Sequence, residues 1–331
     1  MDIPGFVDLQ VNGFCGVDFS SPELSEEDFL QSCHHLLQKG TCAFLPTVIT
    51  SPLAVYRRNL PIMSRIMELP ELKNRVLGFH LEGPFISPLR GVRGIHNPRW
   101  IKKPDIQLLE HLIELSGRKI KLLTIAAGIE DAEELTRYAI ENRITVSLGH
   151  YLATMEEVTR LVDAGATAHT HLGNGIPEMI HRHHNPIWIG LAQDGLSAMI
   201  ISDGHHLPYS LLKTIIRAKG ASKIIVTSDA SPLAGLTPGR YKSMGGEVVL
   251  EESGLLHSPK RGCLAGSSRV MLECMNVLSA SKLLELPDLV KVGFSNPLKL
   301  IGIDPGLLPK EKLLQYDEGK KIFGSRNSII Y

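Results

Sequence analysis

The residues best able to do chemistry stand in four short polar clusters, each closing an apolar, β-branched run: His80-Leu81-Glu82-Gly83-Pro84, Gly149-His150, Thr170-His171-Leu172-Gly173-Asn174 and Thr227-Ser228-Asp229-Ala230. A barrel or an open sheet brings its strand ends to one place, so these clusters are expected to meet. One carboxylate and two neutral imidazoles, from Glu82, His150 and His171, make a three-ligand open site for one divalent ion, and Zn²⁺ and Fe²⁺ suit it equally. Asp229 beside such an ion could take a proton from activated water and return it to a departing amine; an N-capping aspartate is the plainer alternative. The set reads as a metal-dependent hydrolytic site.

Other polar residues gather near it. Asp8, Gln10 and Asn12 alternate along the first apolar run, which puts them on one face. Amide side chains are poor metal ligands beside imidazole, so this row argues for one ion rather than two, unless Gln10 and Asn12 only satisfy buried backbone groups. The Asn174-Gly175 step can turn backbone amides toward an anion. Downstream, Arg182 in His181-Arg182-His183-His184 has the fork geometry to clamp a phosphate, the competing reading being a solvated basic loop. His96, in Gly94-Ile95-His96-Asn97-Pro98, and His206, in Asp203-Gly204-His205-His206, lie in loops at the same mouth and suit substrate contacts.

The elements that must position these side chains alternate. Strands are expected near 3–11, 43–49, 76–81, 120–126, 144–149, 166–170, 198–202 and 224–228. Between them fall helices over 25–38, 53–67, 106–116, 132–141, 155–164 and 209–219, opened by caps such as Ser21-Pro22, Thr154 and Pro208. Continuous apolar strands suit a parallel sheet buried on both faces, so a closed (β/α)₈ TIM-type barrel is expected over an open doubly wound sheet. Residues 1–331 read as a single barrel domain, with a β-hairpin inserted at 240–262, a helical stretch from 267 to about 301, and a polar surface tail at 306–331. The core is expected to end near 305.

Composition bounds the rest. The chain of 331 residues carries 35 basic and 35 acidic side chains, so no global field points to nucleic acid or an anionic membrane. Five cysteines without CxxC spacing look like reduced thiols. The start has no signal-peptide pattern and no apolar stretch is long enough to span a bilayer, so a cytoplasmic protein is expected.

The order Pro4-Gly-Phe-Val-Asp-Leu-Gln-Val-Asn-Gly13, His80-Leu-Glu-Gly-Pro84, Gly94-Ile-His-Asn-Pro98, Gly149-His150, Thr170-His-Leu-Gly-Asn174, Asp203-Gly-His-His206, Thr227-Ser-Asp-Ala230 and Leu264-Ala-Gly-Ser-Ser268 resembles the N-acetylglucosamine-6-phosphate deacetylase family of the amidohydrolase superfamily. That resemblance implies hydrolysis of the acetamide of an N-acetylated hexosamine 6-phosphate to acetate and an amino-sugar phosphate. It implies that Glu82, His150 and His171 hold the metal, that Asp229 is the general acid/base, and that His96 helps polarise the acetyl carbonyl. Gln10, Asn174, Gly175, Arg182, His206 and Ala265 would line the sugar-phosphate pocket, and a homodimer is among the implied assemblies. An amidohydrolase acting on another acylated amine, or a catalytically silent sugar-phosphate binder, would share much of this pattern. Against the family pattern, the flanking strands of a small accessory β-sandwich are missing or vestigial, and Gly173 and Gly175 replace larger residues.

Overall fold

In the computed structural model, which describes residues 2–311 and 313–325, eight parallel strands follow one another around a barrel. They are β1 (Phe6–Val11), β2 (Thr41–Ile49), β3 (Phe79–Glu82), β4 (Ile120–Ile125), β5 (Thr145–Leu148), β6 (Ala168–His169), β7 (Ser197–Ile200) and β8 (Ile224–Val226). All nine residues of β2 and all three of β8 are buried, as strands covered on both faces must be. Backbone ladders join each strand to the next from β1 to β8. The last seam closes differently. Val11 bridges Ala230, Asn12 N donates to Ala230 O at 2.8 Å, and the Asp8 carboxylate accepts from the Thr227 hydroxyl at 2.8 Å. That closure decides for the barrel over the open sheet.

Each strand is followed by a helix: α1 (Glu26–Gln38), α2 (Leu53–Ile66), α3 (Ile106–Leu115), α4 (Ala132–Glu141), α5 (Met155–Asp163), α6 (Pro186–Ala192), α7 (Tyr209–Lys219) and α8 (Met271–Ala280). Their starts are local chemistry. Ser25 accepts from Asp28 N, Asp105 from Leu108 N, and Thr154 and Glu157 form a reciprocal capping box on α5. The sequence reading passed over α6, although Asn185 caps it and Pro186 opens it, because its seven residues are too few to show a period. No helix among the described residues is long and apolar enough to cross a membrane.

Two expectations need correction. The insert at 240–262 is more than a hairpin: Gly239–Ser243, Gly246–Leu250, Leu256–Ser258 and Cys263–Leu264 form a four-stranded antiparallel sheet. Val248, Leu250 and Leu256 pack with Ile95, Leu233 and Ala265 in a small core of their own. The span 306–331 is not simply a surface tail, and the core does not end near 305. Leu314–Asp317 pairs with Asp2–Ile3 on one side and Ile322–Ser325 on the other, burying Leu314, Tyr316 and Phe323. Alternating burial along Leu314–Asp317 shows why the segment looked polar: half its residues face water. Residues 326–331 lie outside the described chain.

Candidate metal centre

The expected ligands do meet. Glu82 is the last residue of β3, while His150 and His171 stand just beyond β5 and β6. Glu82 Oε1 lies 3.1 Å from His150 Nε2 and 2.9 Å from His171 Nε2, and the two imidazole nitrogens are 3.2 Å apart. All three side chains are buried. His150, His171 and Asp229 have φ of 53°, 31° and 50°, a left-handed conformation costly for side-chain-bearing residues. A buried chain of hydroxyls ties the delivering strands: His80 Nε2 pairs with Thr124 Oγ1 at 2.8 Å, Thr124 with Thr170 at 2.8 Å, and Thr170 with Ser147 at 2.6 Å.

This donor set fits a divalent cation. His150 Nδ1 donates to Val92 O at 2.8 Å, which fixes the ring and aims Nε2 at the other two ligands. Burial opposes ionisation of Glu82, yet hydrogen bonds from His150 and His171 hold its carboxyl well below the usual range. Burial also opposes protonation of His150, but Glu82 outweighs it and raises that imidazole, whereas His171 is lowered by burial. One carboxylate and two imidazoles converge within 4.8 Å, as a cation requires. Gly175 (φ +64°) passes so close that a Cβ there would sit 2.9 Å from His150 Nδ1.

Around the ligands, side chains on β1 and later loops hold the remaining chemistry. Gln10 Nε2 donates to Glu82 Oε1 at 3.0 Å, and Asn12 Nδ2 donates to Asp229 Oδ1 at 2.8 Å. Neither amide is a spare ligand; each restrains a carboxylate. Burial, reinforced by the Glu82 charge, pushes Asp229 up to about 7. His96 Nε2 stands 3.7 Å from Glu82 Oε2, its ring edge-on to His150 at 4.6 Å, and burial pulls it down to about 3. It is therefore a neutral imidazole at physiological pH. His206 Nδ1 donates to Asp203 Oδ2 at 2.8 Å; Asp203, despite its burial, is held well below the usual range by that contact and by two backbone amides.

These groups open into a cavity of about 1000 Å³. Glu82, His96, His150, His171, Asn174, Gly175, His206 and Asp229 line it. Gln10 and Ala265 do not, although Ala265 sits between the lining residues Leu264 and Gly266. Arg182 is exposed and also outside the lining. The guanidinium groups that do face the cavity, Arg90, Arg93 and Arg261, were missed in the sequence. Arg90 and Arg93 flank a segment between two recognised motifs, and Arg261 belongs to an insert whose folding back could not be read from its pattern. Arg261 donates to Ile95 O, to Met244 O at 3.3 Å and to Gly245 O at 3.1 Å, fastening the inserted sheet to the loop that carries His96.

A parallel barrel with a carboxylate–imidazole centre at its strand ends defines the class, and the comparisons agree: residues 2–305 match the amidohydrolase family, to which this chain belongs. It is a hydrolase, and within the family it groups with the N-acetylglucosamine-6-phosphate deacetylases. The enzyme of that name from Bacillus subtilis (strain 168) is 32% identical over 305 residues, 91% of this chain and 75% of that protein. An N-acetylgalactosamine-6-phosphate deacetylase from Escherichia coli O157:H7 is 28% identical over 309 residues, 91% of this chain and 78% of its own. The crystal structure of N-acetylglucosamine-6-phosphate deacetylase from Thermotoga maritima superposes with a TM-score of 0.83 at 27% identity, over 97% of this chain and 85% of that one.

Proposed function

We propose that this enzyme hydrolyses the acetamide of an N-acetylated hexosamine 6-phosphate, N-acetylglucosamine 6-phosphate foremost, releasing acetate and glucosamine 6-phosphate. The observation that carries the reading is the meeting of Glu82, His150 and His171 with Asp229 on one cavity wall. Glu82, His150 and His171 would hold a divalent ion, Zn²⁺ or Fe²⁺, which would supply Lewis acidity to the reaction when bound. Asp229 takes the proton of the attacking water on the carboxylate oxygen that Asn12 leaves free, then delivers it to the departing amine nitrogen. A carboxyl poised near neutrality is matched to both transfers. His96, being neutral, donates an N–H to the oxyanion without bringing a competing charge.

The sugar phosphate lies against Asn174, Gly175 and His206, whose Nδ1 is committed to Asp203 so that Nε2 remains for substrate. Arg182 is proposed for the phosphate from outside the lining, on the exposed loop between Ile180 and Ile187, which do line the cavity, and Gln10 and Ala265 for support from behind the residues that form the wall. A cytoplasmic setting agrees with five unpaired cysteines, and a homodimer is the proposed assembly. The galactosamine epimer is a second reading, favoured by the relative named for it.

The deciding assay measures acetate released from the two epimeric N-acetylhexosamine 6-phosphates and from unphosphorylated N-acetylglucosamine, with and without chelator. Chelator-sensitive release from a phosphorylated sugar is expected; equal turnover of the unphosphorylated sugar would remove the phosphate from the proposal. Turnover unchanged in Arg182→Ala would overturn its assignment as the clamp.

A further inference from the structure

On alternate positions of β1 and the residue just past its end, three polar side chains each reach a different part of the molecule. Asn12 restrains Asp229 and Gln10 restrains Glu82. Asp8 touches neither reacting group. Its carboxylate is 1% exposed and accepts from Thr227 Oγ1 at 2.8 Å, Ser228 N at 3.1 Å, Gln10 N at 3.3 Å and the Ser228 hydroxyl. All four donors are neutral, and no basic side chain forms an ion pair with Asp8 among the described residues.

A buried carboxylate without a counter-ion is costly, and burial indeed pushes Asp8 up against the opposing pull of its hydrogen bonds. Every other seam of the barrel is closed by a backbone ladder at no such cost. What this seam holds is the segment that ends in Asp229. Ser228 Oγ donates to Asp8 and accepts from Ala230 N at 3.0 Å, so it spans Asp229 from both sides while that residue keeps its left-handed φ of 50°. Ser267 N fixes the Asp229 carbonyl at 2.8 Å.

We propose that Asp8 is a positioning residue for the hydrolysis: by gripping Thr227 and Ser228 it holds the turn that aims Asp229 into the cavity. The inference rests on the assignment of Asp229 as the acid/base group above. Asp8→Asn preserves shape but removes the charge and one acceptor oxygen, so the Ser228 hydroxyl must turn its hydrogen away, toward Gln10 O at 3.4 Å, to meet the new amide. Expected in that variant are a kcat lowered about tenfold or more, KM within about twofold of wild type, and unchanged metal stoichiometry. In an Asp229→Asn background the same change should add no further loss, since residues acting through one group are non-additive. Amide exchange in the segment 225–232 should accelerate in Asp8→Asn while the rest of the barrel keeps its protection.

A loss that follows reduced metal content, or one of equal size with and without the Asp229 carboxylate, would make Asp8 a structural residue only and overturn the proposal. If Asp8→Asn does not fold, Ser228→Ala decides, because it leaves the carboxylate three of its four donors. A severalfold lower kcat at constant KM supports the proposal and wild-type turnover refutes it. Should the wild-type enzyme release no acetate from any N-acetylhexosamine phosphate, the functional reading fails on its own, and exchange at 225–232 still decides whether Asp8 holds the turn.

Discussion

At the scale of single residues, the proposed reaction separates holding an ion from moving a proton. Removing one ligand should release the ion, since two imidazoles alone leave the cation without its charged partner. Glu82→Gln is expected to purify with little bound metal, read by elemental analysis, and with turnover near background. Asp229→Asn should instead keep its metal and lose about 10²- to 10⁴-fold in kcat, the usual range for a positioned acid/base group. The carboxyl is pushed up to about 7 in the ion-free site, and a cation nearby favours its ionised form. The acid limb of kcat against pH should therefore fall at or below about 7 and vanish in Asp229→Asn. Stability should run the other way. A carboxyl raised on folding favours the native state at acid pH, and that contribution is lost as pH rises from the ordinary 3.8 toward 7. Chelator-treated Asp229→Asn should thus be more stable than wild type at pH 8, on the order of 2 kcal/mol by denaturant unfolding, with the gap closing below pH 4. A gap that widened in acid would contradict the environment described for Asp229.

At the scale of elements, the inserted four-stranded sheet does more than decorate the barrel. Its Arg261 reaches across to the carbonyl of Ile95, the residue before His96, and to those of Met244 and Gly245 at the sheet's first turn. One planar guanidinium thereby fastens two loops that share no backbone ladder. Arg261→Met keeps the apolar stem and removes the donors. It should leave the metal bound and the melting temperature little changed, while kcat/KM falls about tenfold through misplacement of His96. An unaltered kcat/KM would show that the loop is held by its own packing.

For the whole molecule, the two ends of the described chain meet in one small sheet against the barrel. Phe323 packs edge-on to Phe6 of β1, with ring centroids 5.0 Å apart, and against Tyr316 at 4.6 Å. A segment that reads as polar tail is therefore tied to the first barrel strand. Phe323→Ala is expected to cost about 3 kcal/mol or more in unfolding free energy, as for other buried aromatics. A change below 0.5 kcal/mol would return the segment to the surface.

What the sequence determined by itself is the periodic and the compact: the eight strands, all of the barrel helices but α6, and the meeting of Glu82, His150, His171 and Asp229, because each ends an apolar run with a turn behind it. Residue type and strand-end position carry that information locally. Tertiary structure alone decided which partners distant segments would find. Asp8 closing the β8–β1 seam, Arg261 reaching Ile95, Phe323 resting on Phe6 and the exposure of Arg182 all depend on chain paths that no local pattern encodes. Short or half-solvated strands such as Leu314–Asp317 bury too little for their alternation to stand out, so their role emerges only once the barrel offers them a surface.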